Sequence, residues 1–233
     1  MQPFYSGDTK FKALLAKVGI QKSIDEVKAL ALGIVSGLEM VPPSYLFSTL
    51  LNQGEDDEIQ LTSEQEAQEL FGELMGLWNN MTQVRHGEGQ LKFKKPPKNL
   101  SATREKLEVE IIRQINILRS FLDGLEAGTD LDDVVVPEVG LMLKVLFEQL
   151  YASEMTVLAL QNESIPEPLL KDIRNRLMWI MGEWEAMIPK IAEALTMIRQ
   201  MGMEEGLENL DFEEDDDDIE PRVGRNEPCP CGS

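Results

Sequence analysis

The chain has 233 residues, with 42 acidic and 22 basic side chains, two cysteines and one histidine, giving a formal net charge of −20. That length suits one large domain, or a domain with an appendage, and the acidic balance argues against DNA or RNA as the main partner because phosphates are repelled. The two cysteines lie together at the C-terminal end and form no disulfide framework, no run nears the ~18 apolar residues of a membrane span, and Met1–Lys10 lacks the charged and apolar regions of a signal peptide, so the expected setting is the cytoplasm.

Taken in chain order, the pattern is helical almost throughout. Asp8 can cap a short helix running to Val18, with Gly19 as its stop. Ser23 and Glu26 have capping-box spacing, and Val27, Leu30, Ile34 and Leu38 then recur on one helical face. Gly33 and Gly37, four apart, could let a neighbouring element approach closely. Pro42 and Pro43 end that helix and begin another, Ser44–Asn52, because proline suits a first turn and not an interior. After an acidic loop, Gly54–Glu58, Ser63 and Glu66 make a second capping box, and Leu70, Leu74, Leu77 or Trp78, and Met81 trace an apolar stripe. Residues 85–99 break the periodicity, and Leu91 and Phe93 alternate with lysines as an extended piece would before Pro96 and Pro97.

Ser101 opens a long helix carried by Leu107, Ile111, Ile115, Leu118, Leu122 and Leu125, with Gly124 and Gly128 bracketing its end. Pro137 starts another helical run to about Leu160, Pro166 and Pro168 punctuate, and Leu169–Met201 is one or two helices with a kink or break at Pro189. The strand signal at Val134–Val136 is too short to count. The expected fold is all-α, a single bundle-like domain of about seven helices over residues 1–203 followed by a flexible tail. That tail begins with an acidic, apolar-poor linker, 204–220, holding 11 acidic residues and no basic ones, which is over half of the net charge.

Residues 221–233 end in GRNEPCPCGS. Cys229 and Cys231 are a metal-ligand half-site, since thiolates bind zinc tetrahedrally and a closed structural site needs four ligands. The segment resembles the opening of the SEC-C zinc motif, found at the end of the SecA translocation ATPase and on many small bacterial proteins. The resemblance implies zinc as the cofactor, Cys229 and Cys231 as its first two ligands, and Asn226, Pro228, Pro230 and Gly232 as the framework of the turn. In that motif a second ligand pair follows, which this sequence does not contain before Ser233, so the expectation is an incomplete motif, truncated from a longer one or, as the alternative, decayed. Through SEC-C proteins it also implies a partner such as the export chaperone SecB, or the ribosome.

The body resembles the YecA/YgfB-like family of bacterial proteins, on ALALGIVSGLEMVPPSYLFSTLL (29–51), LKFKKPP (91–97) and INILRSFLDGLEAG (115–128). That resemblance implies an all-α fold and little about activity. No catalytic pattern stands out: one histidine cannot supply H-E-x-x-H or the histidines of a di-iron bundle, no phosphate loop occurs, and His86 in RHGEG reads as a surface histidine. Asp123, Asp130, Asp132 and Asp133 lack calcium-loop spacing and read as helix capping and a solvated turn. Lys92, Lys94, Lys95, Lys98, Arg104 and Lys106, with Arg85 and Phe93, could touch phosphates, though a solvated loop is the simpler reading. Met178, Trp179, Met181, Trp184, Met187, Met197, Met201 and Met203 are read chiefly as core and alternatively as an adaptable binding face. The function expected is non-enzymatic binding by an adaptor. The alternatives are a carboxylate-based enzyme, which buried, pKa-shifted Asp or Glu beside a pocket would favour, and an oligomerising module forming a homodimer.

Overall fold

The computed structural model describes residues 5–51, 61, 63–131, 136–162 and 165–208. Among them are seven helices and no strand: α1 (Asp8–Lys17), α2 (Ile24–Ser36), α3 (Pro43–Leu51), α4 (Glu64–Arg85), α5 (Arg104–Glu126), α6 (Pro137–Asn162) and α7 (Glu167–Glu208). The all-α expectation holds. The chain divides into residues 1–199, which contain the core, and residues 200–233, of which the end of α7 is described.

The helix starts follow local chemistry. At α2 the capping box is complete: the Ser23 hydroxyl accepts from the Glu26 amide, and the Glu26 carboxylate accepts from the Ser23 amide. At α4 only half of it forms. Ser63 accepts from the Glu66 amide, but the Glu66 carboxylate is buried and takes Lys17 of α1 at 2.7 Å, so a tertiary ion pair replaces the local return bond. At α1 the cap is Gly7, with φ 102°, and Asp8 sits inside the first turn, because its carboxylate is engaged elsewhere.

The centre of the domain is the crossing of α2 and α5. A Cβ on Gly33 would lie 2.2 Å from the Phe121 carbonyl oxygen, and one on Gly124 would lie 2.3 Å from the Leu30 carbonyl oxygen. One step along, a Cβ on Gly37 would stand 2.9 Å from Gly128. Two glycines four apart, one inside each helix and one just past its end, therefore let the backbones touch where any side chain would hold them apart. Gly124 thus lies inside α5 as a packing residue, and only Gly128 marks its end. Around this crossing Phe11, Leu30, Leu32, Leu74, Leu77, Phe121 and Trp184 are fully buried.

Three further expectations change. α7 runs unbroken through Pro189. Ile188, Ile191, Ala192 and Leu195 are all buried beside it, and that burial outweighs the cost of about 3 kcal/mol for an interior proline. α7 also continues through Glu208, so the acidic run begins within a helix. The methionine-rich region is only partly core: Met181 and Trp184 are buried, whereas Trp179 is 61% exposed and Met197 55%. In the Val134–Val136 segment only Val136 is described, and it is not a strand. No helix among the described residues is long and apolar enough to cross a membrane.

Candidate functional site

The stretch between α4 and α5 has no regular structure over residues 90–97, and it pairs with no strand. Its backbone polar groups must find partners elsewhere, and side chains from three helices, α2, α5 and α7, supply them. The Phe93 amide donates to the Glu185 carboxylate at 2.8 Å, and the Lys94 amide to Asp25 Oδ2 at 3.0 Å. Arg113 Nη2 donates to the Lys94 carbonyl at 2.8 Å, Lys28 Nζ to the Lys92 carbonyl at 3.4 Å, and Arg174 to the Lys98 carbonyl at 3.3 Å. Leu91, Phe93 and Pro96 turn inward, while Lys92, Lys94, Lys95 and Lys98 point to solvent.

Asp25, in the first turn of α2, anchors this clamp. It is buried and takes both the Lys94 amide and Arg113 Nη1 at 3.1 Å. Burial pushes its carboxyl above the usual carboxylate range, against the pull of the Lys94 amide and of the Lys28 and Arg113 cations. Arg113 is shared with Glu110 at 2.6 Å, and Glu110 in turn accepts from Gln114. Next to it, Lys28 donates to Asp8 Oδ2 at 2.6 Å, and the Tyr5 hydroxyl to Asp8 Oδ1 at 2.6 Å. Partial burial would raise the Asp8 carboxyl, but those two donors outweigh it and hold it low. Burial first, and then the hydrogen bond to Asp8, push the Tyr5 phenol far above its ordinary range. Buried Glu73 accepts from the Ser6 amide at 2.9 Å and from the Ser6 hydroxyl, with Lys10 at 3.4 Å.

Two clefts open on this network. One, of about 360 Å³, lies between the starts of α1 and α2 and residues 92–94. The other, of about 400 Å³, lies between Tyr5, Lys28, the end of α4 and Gly89–Lys92. The combination of a buried, shifted carboxylate and an adjoining cleft is what a carboxylate enzyme would need, but Asp25 and Asp8 already hold structural partners.

The remaining candidate residues are dispersed. Cys229 and Cys231 lie outside the described residues, as do Asp132 and Asp133. Among the described residues no group of three or more His, Cys, Asp or Glu is placed to hold a metal ion. His86 is exposed at the C-cap of α4, and Asp123 and Asp130 are exposed. Arg85 and Phe93 do not join the lysines at the surface: both are buried, and Arg85 Nε donates to the Thr196 hydroxyl at 2.5 Å.

A feature that periodicity did not single out lies on α6. Val139, Leu143, Leu146 and Leu160 face the core, while Phe147, Tyr151 and Met155 form an outward stripe, 41%, 64% and 46% exposed. The Arg119–Glu154 pair, at 2.6 Å, places α5 along one side of it, and the Trp184–Gln149 bond, at 2.5 Å, places α7 on the core-facing side. A helix apolar on both faces was the available signal.

No family model matches the chain, and no curated protein matches it. Among solved structures it is similar to the crystal structure of the lpg0076 protein from Legionella pneumophila, with a TM-score of 0.53 and 15% identity, covering 83% of this chain and 97% of that one. At that identity the likeness is one of fold.

Proposed function

We propose that the chain is a non-enzymatic binding protein that docks a protein partner, with Cys229 and Cys231 supplying two zinc thiolates beside the docking function. The observation that carries the binding reading is the outward stripe of α6: Phe147, Tyr151 and Met155 present aromatic and thioether surface to solvent, on a helix that buries Val139, Leu143, Leu146 and Leu160 in the core. Contiguous exposed apolar surface of this kind marks partner sites, and aromatic residues and methionine are enriched there. The zinc part of the proposal rests on the resemblance of GRNEPCPCGS to the SEC-C opening, which also suggests an export chaperone such as SecB, or the ribosome, as partner. Two thiolates supply half of a tetrahedral set, so a chain with these two alone would share one zinc between two copies.

The enzyme reading has less support, because the hydrogen-bonding capacity of Asp25 and Asp8 is committed to Lys94, Arg113, Lys28 and Tyr5. A second reading, a homodimer through the same stripe, has the same apolar surface in its favour. Tyr151→Glu together with Phe147→Glu separates them. Loss of capture of purified SecB-type chaperone or ribosomes, with an unchanged monomeric mass in sedimentation, supports the adaptor. Loss of a concentration-dependent dimer supports the module, and no change in either overturns both. Zinc uptake is measured separately, and uptake that survives Cys229→Ser with Cys231→Ser overturns the thiolate assignment.

A further inference from the structure

We propose that the cleft between the starts of α1 and α2 and the clamped segment 92–94 binds a small phosphate-bearing molecule. This stands on the cleft's own geometry and not on the zinc or docking reading. Its walls bring together Lys12 from α1 with Lys92 and Lys94 from the clamped segment, beside Thr9, Asp8 and Asp25. None of the three lysine side chains has an ion pair or hydrogen bond among the described residues. Both carboxylates, by contrast, are already held: Asp8 by Lys28 and Tyr5, Asp25 by the Lys94 amide and Arg113. The walls therefore carry an excess of positive charge on a chain whose net charge is −20.

Three features favour a compact oxyanion. The backbone carrying Lys92 and Lys94 is fixed by Asp25, Arg113 and Lys28, so both lysines start from an anchored main chain and binding need not order the segment that carries them. Ile24 and Asp25, also in the wall, are the first residues of α2, and the amides of a helix's first turn add positive potential of the same sign. The volume of about 360 Å³ lies at the small end of ligand sites and is large enough to admit an inorganic diphosphate or a mononucleotide. A long polyanion fits less well. Beyond about 8 Å the local lysines are screened, and most of what an extended strand would meet is acidic surface.

The test uses the full chain and inorganic pyrophosphate, followed by isothermal titration calorimetry, with a single-stranded RNA oligonucleotide as a second probe. Pyrophosphate should bind, weaken as salt rises, and bind at least about tenfold more weakly to Lys12→Gln/Lys92→Gln/Lys94→Gln. All three side chains are exposed, so that variant should keep its helicity and melting temperature. Lys144→Gln/Lys171→Gln, which removes lysines from α6 and α7, should bind like the parent. The proposal is overturned if pyrophosphate shows no heat at millimolar concentration, if the triple variant binds as the parent does, or if RNA binds about tenfold more tightly than pyrophosphate.

Discussion

Gly33 and Gly124 meet where two helix backbones touch, and a single methyl group on either one collides with a carbonyl oxygen that cannot swing away. Gly33→Ala should therefore destabilise the domain by about 3 kcal/mol or more, in the upper range of overpacking effects. Gly72→Ala is the matched control. That glycine also lies inside a helix, but nothing stands within 4 Å of its added Cβ, so the substitution should stabilise by about 0.5–1 kcal/mol. Opposite shifts in chemical-denaturation midpoint would check the pair. At Asp25 the expected signature is pH dependence. Burial raises its folded-state pKa above the ordinary 3.8, so the folded form binds this proton more tightly than the unfolded one. Its contribution is fully present below the unfolded pKa and is lost as pH rises through the folded pKa. Asp25→Asn should remove that slope: the parent-minus-variant difference in unfolding free energy should fall from about pH 4 upward, and a flat difference would mean the carboxyl does not titrate as its surroundings require.

Element by element, the signals that survived folding are the short-range ones. The Ser23–Glu26 box closes as its spacing suggested, and Ser23→Ala should lower stability by about 1 kcal/mol, seen as a drop of a few degrees in melting temperature. Pro43 and Pro137 begin helices as expected. Where local rules failed, long-range burial had overridden them. Pro189 sits inside α7 because Trp184, Ile188 and Ile191 are buried around it, and Glu66 leaves its cap for Lys17. Trp184, fully buried with its indole N–H on Gln149, should cost about 3–5 kcal/mol as Trp184→Ala. Gln149→Leu should cost less, because it leaves one unsatisfied indole N–H and opens no large cavity. A thermal melt of both variants gives the order.

At the scale of the whole molecule, the helical architecture was legible because each helix carries its own punctuation and an apolar face. The candidate sites were not, because they are made of residues from distant parts of the chain. Lys12 is 80 positions from Lys92, and nothing in either neighbourhood announces that they share a cleft. Asp25 stands in the first turn of α2, where an acid needs no tertiary reason, and its partners Lys94 and Arg113 become visible only once α2 and α5 are packed through their glycines. Even the basic cluster read from sequence sorts differently in space: Lys95 pairs with Glu185 at 3.9 Å, Arg85 turns into the core, and Lys12 takes their place. The net charge of −20 likewise hides a local excess of the opposite sign.

The clamp on residues 92–98 has a kinetic corollary. Its hydrogen bonds join amides in a segment of no regular structure to acceptors on α2 and α7, while the donors to its carbonyls come from α2, α5 and α7. The segment cannot be held until those helices have already assembled, so it should be set last during folding. In hydrogen exchange the Phe93 and Lys94 amides should then be protected in the native state like helical ones, yet acquire that protection late in a pulse-labelling experiment, after the amides of α2 and α5. Two loop amides would thus serve as a clock for completion of the fold.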